Sequence, residues 1–149
     1  MGEAVNSATV SEFDVCKSTA RLRLLLIKRT IKVYQTLLVV DDSKVSRMMT
    51  KKIVTQINPD ALFVEAAGGE EALSALGANV VDAAVIDFHM PGMDGLELVE
   101  KVKTLQPDLP VVLLTANIQK EIKERAEKLG AGYLTKPAKL EDLEAFMAG

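Results

Sequence analysis

Two acidic positions in this sequence stand where apolar runs stop. Leu37-Leu38-Val39-Val40 is followed by Asp41-Asp42-Ser43, and Ala83-Ala84-Val85-Ile86 by Asp87. Short apolar runs bounded by polar residues read as buried strands. In a parallel sheet both runs deliver their carboxylates to the same edge. Three carboxylates gathered in a low dielectric repel one another strongly, and a cation among them removes that cost. The pattern therefore predicts a divalent metal held by Asp41, Asp42 and Asp87. It also offers a nucleophile: Asp87 can attack phosphorus and form an acyl phosphate.

Composition narrows the metal. The chain has one cysteine, Cys16, and one histidine, His89. Together they cannot build a zinc site of the Cys/His type. Oxygen ligands favour magnesium, calcium or manganese. A single cysteine allows no intramolecular disulfide, which points to a reduced, cytoplasmic setting and leaves Cys16 a free thiol.

The 149 residues suit one domain with a full core, and 48% hydrophobic with 26% charged residues is ordinary for a globular protein. The net charge of −3 is unevenly spread. Residues 1–35 hold six basic residues (Lys17, Arg21, Arg23, Lys28, Arg29, Lys32) against three acidic ones (Glu3, Glu12, Asp14), a balance of +3 that leaves −6 for residues 36–149. An acidic body argues against direct nucleic-acid binding, which needs a basic surface. No apolar run approaches the roughly 20 residues that span a bilayer. Leu24-Leu25-Leu26-Ile27 is closed at once by Lys28-Arg29, too short for a signal-peptide core.

The elements that must position the acidic residues are legible after residue 35. Strand-length apolar runs are Leu37–Val40, Ala61–Glu65, Ala83–Asp87, Pro110–Thr115 and Gly132–Thr135. Helical spacing fills the gaps. Val45, Met48, Met49, Ile53 and Ile57 recur at three- and four-residue intervals, and further helices are predicted over 69–77, 93–105, 117–129 and 139–147. Asn58-Pro59 and Gln106-Pro107 stop helices, and Gly130 suits a left-handed C-terminal cap. Five strand–helix alternations predict an α/β fold: a doubly wound, five-stranded parallel sheet with helices on both faces. Only residues 136–149 follow the fifth strand, enough for a short helix and not for an effector domain.

In such sheets ligands bind at the carboxyl ends of strands, beside the point where strand order reverses. Asp41-Asp42, Asp87, Thr115 and Lys136-Pro137 all fall there. Lys136 offers a mobile ammonium to a phosphate oxygen, and Thr115 a hydroxyl. Each motif alone has a plain reading. Asp41-Asp42-Ser43 caps a helix, Met90-Pro91-Gly92 makes a turn, and Lys136 is a solvated residue before a proline. Together they require four coincidences at one edge.

The set resembles the receiver domain of two-component response regulators. The resemblance covers residues 36–149 and rests on Val39-Val40-Asp41-Asp42-Ser43, Asp87 with Met90-Pro91-Gly92-Met93-Asp94-Gly95, Leu114-Thr115-Ala116, and Lys136-Pro137. It implies a flavodoxin-like strand order 2-1-3-4-5 and a Mg2+-dependent phosphoacceptor switch rather than an enzyme. Asp87 is then the phosphoacceptor. Asp41, Asp42, Asp87 and the His89 main-chain carbonyl are ligands of Mg2+. Thr115 and Lys136 bind the phosphoryl group, Tyr133 is the switch aromatic, and the Lys136-Pro137 bond is cis. The His89 side chain, two residues after Asp87, is expected on the solvent rim.

The implied partners are a sensor histidine kinase or phosphotransfer protein and a downstream protein that docks on the fourth helix, fifth strand and fifth helix. With no output domain expected, the chain reads as a single-domain response regulator in the cytoplasm, and membrane binding is not expected. Residues 1–35 depart from the family and read as a loosely ordered extension. An amphipathic surface helix is the competing reading for its Leu22–Ile31 stretch. The competing function is a Mg2+-dependent phosphohydrolase with an aspartyl nucleophile. Enzymes of that kind carry Asp-x-Asp after the first strand, where this chain has Asp41-Asp42-Ser43.

Overall fold

The computed structural model describes residues 33–117 and 119–149, and all structural statements refer to these. The expectations for Cys16 and for the extension up to residue 32 lie outside them. Residues 33–149 form one compact unit. Its elements alternate as β1 (Thr36–Val40), α1 (Lys44–Ile57), β2 (Leu62–Ala66), α2 (Gly69–Ala78), β3 (Ala83–Asp87), α3 (Gly95–Leu105), β4 (Val111–Thr115), α4 (Lys120–Lys128), β5 (Gly132–Thr135) and α5 (Leu140–Met147).

All strand pairs are parallel and the spatial order is β2-β1-β3-β4-β5. The sequence explains which strands are central. β3 and β4 are buried throughout, as is β1 beyond Thr36, and these are the unbroken apolar runs. The edge strands β2 and β5 carry exposed or half-buried residues.

Side chains alternate across the sheet and define two cores. Leu38, Val40, Ala84, Ile86 and Leu113 face α2, α3 and α4, where they meet Leu76, Leu96, Val99 and Val102. Leu37, Val39, Val85, Val112 and Leu114 face α1 and α5, where they meet Val54, Leu143 and Met147. Tyr34 belongs to this second core: it is buried, its ring lies 5.7 Å from Phe146, and its carbonyl accepts from Asn58 Nδ2 at 3.3 Å. The packing thus begins upstream of β1.

Three local findings refine the sequence reading. The helix predicted from Val45, Met48 and Met49 forms, but these three are exposed, and α1 buries Thr50 and Val54 instead. Their spacing is helical, yet it marks the outer side of the helix; Met49 borders an apolar cleft of about 270 Å³ with Ile53, Leu114 and Pro137. The second strand starts one residue late because Ala61 is spent in a turn, its N–H bonding to the Asn58 carbonyl, and Leu62 is the first to reach Gln35. The fourth helix starts at Lys120, since the Asn117 carbonyl accepts from Gln119 N–H in a turn.

Side-chain caps and a glycine set the helix ends, and α3 begins at Gly95 rather than at 93. Ser43 caps α1 by accepting from Ser46 N–H at 3.3 Å, and Asp94 caps α3 by accepting from Glu97 N–H at 2.9 Å. α1 stops before Asn58-Pro59, and Gly130 adopts φ 76° after α4. No helix among the described residues is long and apolar enough to cross a membrane.

Candidate functional site

The two strands that flank the reversal of strand order, β1 and β3, pair in register up to Val40 and Ile86. The next residue on each is therefore an aspartate at the same edge. Carboxylate oxygens of Asp41, Asp42 and Asp87 lie within 4.8 Å of one another. Asp41 and Asp87 are each 4% exposed, whereas Asp42 is open to solvent.

The turn that carries Asp41 and Asp42 is tied down at several points. Asp41 N–H donates to the Ala66 carbonyl at 3.1 Å, which extends the β1–β2 ladder by one bond. Asp41 Oδ1 accepts from Ser43 N–H at 2.9 Å. On the other strand, Phe88 N–H donates to the Leu114 carbonyl at 2.8 Å, and Gly95 N–H donates to the Phe88 carbonyl at 2.9 Å.

β5 delivers the cation. Its register with β4 sets Thr115 opposite Thr135, and Lys136 N–H donates to the Thr115 carbonyl at 2.8 Å. The cis Lys136-Pro137 bond predicted from the sequence is present. Lys136 Nζ reaches Asp41 Oδ2 at 2.6 Å and Asp87 Oδ1 at 3.0 Å.

The charges of this cluster are mutually set. Burial lifts the Asp87 carboxyl above its ordinary 3.8; the Lys136 hydrogen bond and charge oppose this without cancelling it. Burial acts to lower the Lys136 ammonium, but its hydrogen bonds to Asp41 and Asp87 outweigh that, and it ends above 10.5. Two buried carboxylates thus share one ammonium, with a third carboxylate beside them. Hard oxygen donors at this spacing, with one cation for three anions, suit a small divalent ion such as Mg2+.

The other predicted residues lie close by. Thr115 is fully buried, and its hydroxyl donates to the Asn117 carbonyl and accepts from the Asn117 N–H, both at 3.2 Å. Tyr133 is half-buried, and its hydroxyl donates to the same carbonyl at 2.9 Å. The His89 side chain is exposed, as expected, with its ring edge-on to Phe88 at 4.8 Å.

Three participants were assigned no role from the sequence. Asn117 is a shared acceptor only because the chain turns there. Arg47 binds the Asp41 carbonyl at 2.7 Å but looks like any basic residue of α1. Gly95 packs on Asp87: a Cβ there would lie 2.5 Å from the Asp87 carbonyl oxygen and 2.7 Å from Phe88 Cα. Its place at the end of the Met90-Pro91-Gly92-Met93-Asp94-Gly95 motif was the available hint.

Comparison with known proteins identifies the family of the chain. Residues 37–148 match the response regulator receiver domain, and the chain belongs to that family. It is 34% identical over 120 residues to the sensory/regulatory protein RpfC of Xanthomonas campestris pv. campestris, covering 75% of this chain and 16% of that protein. It is 40% identical over 109 residues to the heme response regulator HssR of Staphylococcus haemolyticus, covering 72% of this chain and 46% of that one. The chain thus spans less than half the length of these relatives. Among solved structures, chemotaxis protein CheY4 of Vibrio cholerae superposes with a TM-score of 0.66 at 31% identity, over 73% of this chain and 92% of that one. Receiver domains are switch domains that bind Mg2+ at an acidic pocket and interact with histidine kinases and downstream targets.

Proposed function

We propose that this chain is a phosphorylation-dependent switch that accepts a phosphoryl group on Asp87 from a sensor histidine kinase or phosphotransfer protein. The observation that carries the reading is the shared ammonium: Lys136 bridges Asp41 and Asp87 at the sheet edge where β1 and β3 diverge. Asp87 supplies the nucleophile. Its carboxylate oxygen forms a bond to phosphorus as the P–N bond of a phosphohistidine breaks, and the electron pair leaves with the imidazole nitrogen, which takes up a proton. A carboxyl lifted by burial is the more basic, and so the better, nucleophile.

Asp41, Asp42 and Asp87, with the His89 main-chain carbonyl by family resemblance, would hold Mg2+. When bound, Mg2+ neutralises phosphoryl oxygens and so lowers the cost of bringing an anion to an anionic site. Lys136 binds one phosphoryl oxygen and Thr115 another once the group has arrived. Thr115 must then release Asn117, which leaves Tyr133 as the side chain on that carbonyl and alters the face formed by α4, β5 and α5. A downstream protein reads that face, so the output is a change in protein–protein affinity in the cytoplasm rather than turnover of a substrate.

Incubation with Mg2+ and acetyl phosphate tests this. Intact mass should show one phosphoryl group per chain, labile at alkaline pH and absent from Asp87→Asn. Sustained hydrolysis of varied phosphomonoesters would favour the hydrolase reading instead.

A further inference from the structure

Arg47 lies in the first turn of α1 with its side chain only 15% exposed. Its Nη1 donates to the Asp41 main-chain carbonyl at 2.7 Å, and its Nε to Glu65 Oε1 on β2 at 3.2 Å. The other Glu65 oxygen accepts from Lys51 Nζ at 2.8 Å. Lys51 thereby fixes the carboxylate that fixes Arg47. Glu65 stands opposite Val39, one pair before the end of the β1–β2 ladder, so this chain of contacts spans the root of the Asp41-Asp42 turn.

We propose that Arg47 is a positioning residue of the metal centre: by joining the Asp41 carbonyl to Glu65, it holds the turn that presents the Asp41 and Asp42 carboxylates towards Asp87. The proposal rests on the reading that these carboxylates take Mg2+. Three like charges within 4.8 Å push the turn to open, and Lys136 meets Asp41 and Asp87 alone. A restraint on the main chain resists that opening without touching a ligand oxygen. Arginine suits the task because its rigid, planar fork serves two acceptors at once, which a lysine ammonium on a flexible stem does poorly. The low Glu65 pKa, owed first to the Lys51 hydrogen bond, keeps the anchor ionised.

Two physical roles for Arg47 predict opposite signs. If it merely adds positive charge near the acidic cluster, removing it should tighten Mg2+ binding. If it positions the turn, removing it should weaken binding. Mg2+ titration of the metal-free full chain, followed by amide NMR and calorimetry, separates them. Arg47→Met is expected to weaken Mg2+ about tenfold, in the range for outer-shell partners of metal ligands. Arg47→Lys should recover part of that loss, and Glu65→Gln should weaken binding in the same direction by a smaller factor. The Asp42 and Ser43 amides should shift in the metal-free variants, and the rate of Asp87 phosphorylation should recover at saturating Mg2+.

Affinity unchanged within twofold, or tightened, in Arg47→Met overturns the proposal. Should that variant not fold, Glu65→Gln carries the same test at an exposed position. A wild-type chain that binds no Mg2+ overturns the metal reading and this proposal with it, whereas wild-type binding with unaffected variants overturns the positioning role alone.

Discussion

The hydroxyls of Thr115 and Tyr133 converge on one atom, the main-chain carbonyl of Asn117, at 3.2 and 2.9 Å. The Asn117 amide also donates back to Thr115, so a Thr115 hydroxyl that turns towards a phosphoryl group gives up two partners. Tyr133 is left as the side chain on that carbonyl. The two residues are therefore linked through a shared acceptor.

Thr115→Val tests the coupling with little change of shape. It should cost about 1 kcal/mol, the net worth of a buried hydrogen bond whose remaining carbonyl still has Tyr133. Asp87 should still accept a phosphoryl group, but the Tyr133 ring signals should no longer move when it does. The chain has only two tyrosines, and buried Tyr34 serves as the internal reference. Tyr133 signals that shift in the variant as they do in the wild type would sink the coupling scheme.

Lys136→Met leaves two buried carboxylates without their shared counter-charge. Breaking a fully buried pair costs about 3–5 kcal/mol, but the 23% exposure of Lys136 lets water compensate, and about 1–2 kcal/mol is expected. Urea unfolding in chelator measures the loss. Saturating Mg2+ should stabilise the variant more than the wild type, because the metal then supplies the missing positive charge. Equal stabilisation would show that Lys136 and the metal do not serve the same carboxylates.

The strands and the converging carboxylates were legible because they depend on residue type and period, whereas the strand order followed from the family resemblance. β1, β3 and β4 announce themselves as apolar runs, and Asp41, Asp87, Thr115 and Lys136 stand at strand ends. The contacts that hold the site were not legible. Arg47 is one of four basic residues in α1, and nothing in their spacing separates the one that reaches back to Asp41 from the other three. The apolar spacing of α1 gave the helix but not all of its buried side: Ile53 and Ile57 pack against the second core, whereas Val45, Met48 and Met49 are exposed. Val45, Met48 and Met49 follow a helical period, but the side that meets the sheet is decided by where β1 and α5 lie, and it falls on Thr50 and Val54.

The acidic cluster should leave a mark on the pH dependence of stability. Asp87 is held above its ordinary 3.8, chiefly by burial, so the folded protein binds this proton more tightly than the unfolded chain does. Stability then falls as pH rises from that value through the folded pKa. Asp87→Asn has no proton to lose. In chelator, its stability relative to wild type should be constant below pH 3.8 and increase across the window above it, then level off. Glu65 acts in the opposite sense. The Lys51 hydrogen bond holds it below 4.5, so its contribution is present above that value and lost as pH falls through the folded pKa. Both chains keep Glu65, and its effect cancels in the difference. A difference that is flat with pH would mean that Asp87 titrates alike in both states.

Gly95 packs against the main chain of Asp87, the proposed phosphoacceptor. Its N–H donates to the Phe88 carbonyl at 2.9 Å, and a Cβ at this position would meet the Asp87 carbonyl oxygen at 2.5 Å and Leu113 Cδ1 at 2.7 Å. Two of the three nearest atoms are main chain and cannot rotate away, so Gly95→Ala must push α3 and the end of β3 apart. Overpacking of this kind costs about 1–3 kcal/mol, and the displacement falls on Asp87, the proposed nucleophile. The helix-propensity gain of alanine, about 1 kcal/mol at most, offsets only part of it. Gly77→Ala in α2 is the control, since no atom lies within 4 Å of a Cβ there. Thermal unfolding should show Gly95→Ala destabilised and Gly77→Ala unchanged or slightly stabilised. Labelling by acetyl phosphate at a temperature where both variants are folded should be slower for Gly95→Ala alone. If Gly95→Ala keeps the wild-type labelling rate, the close packing on Asp87 supports the fold and does not set the position of its carboxylate.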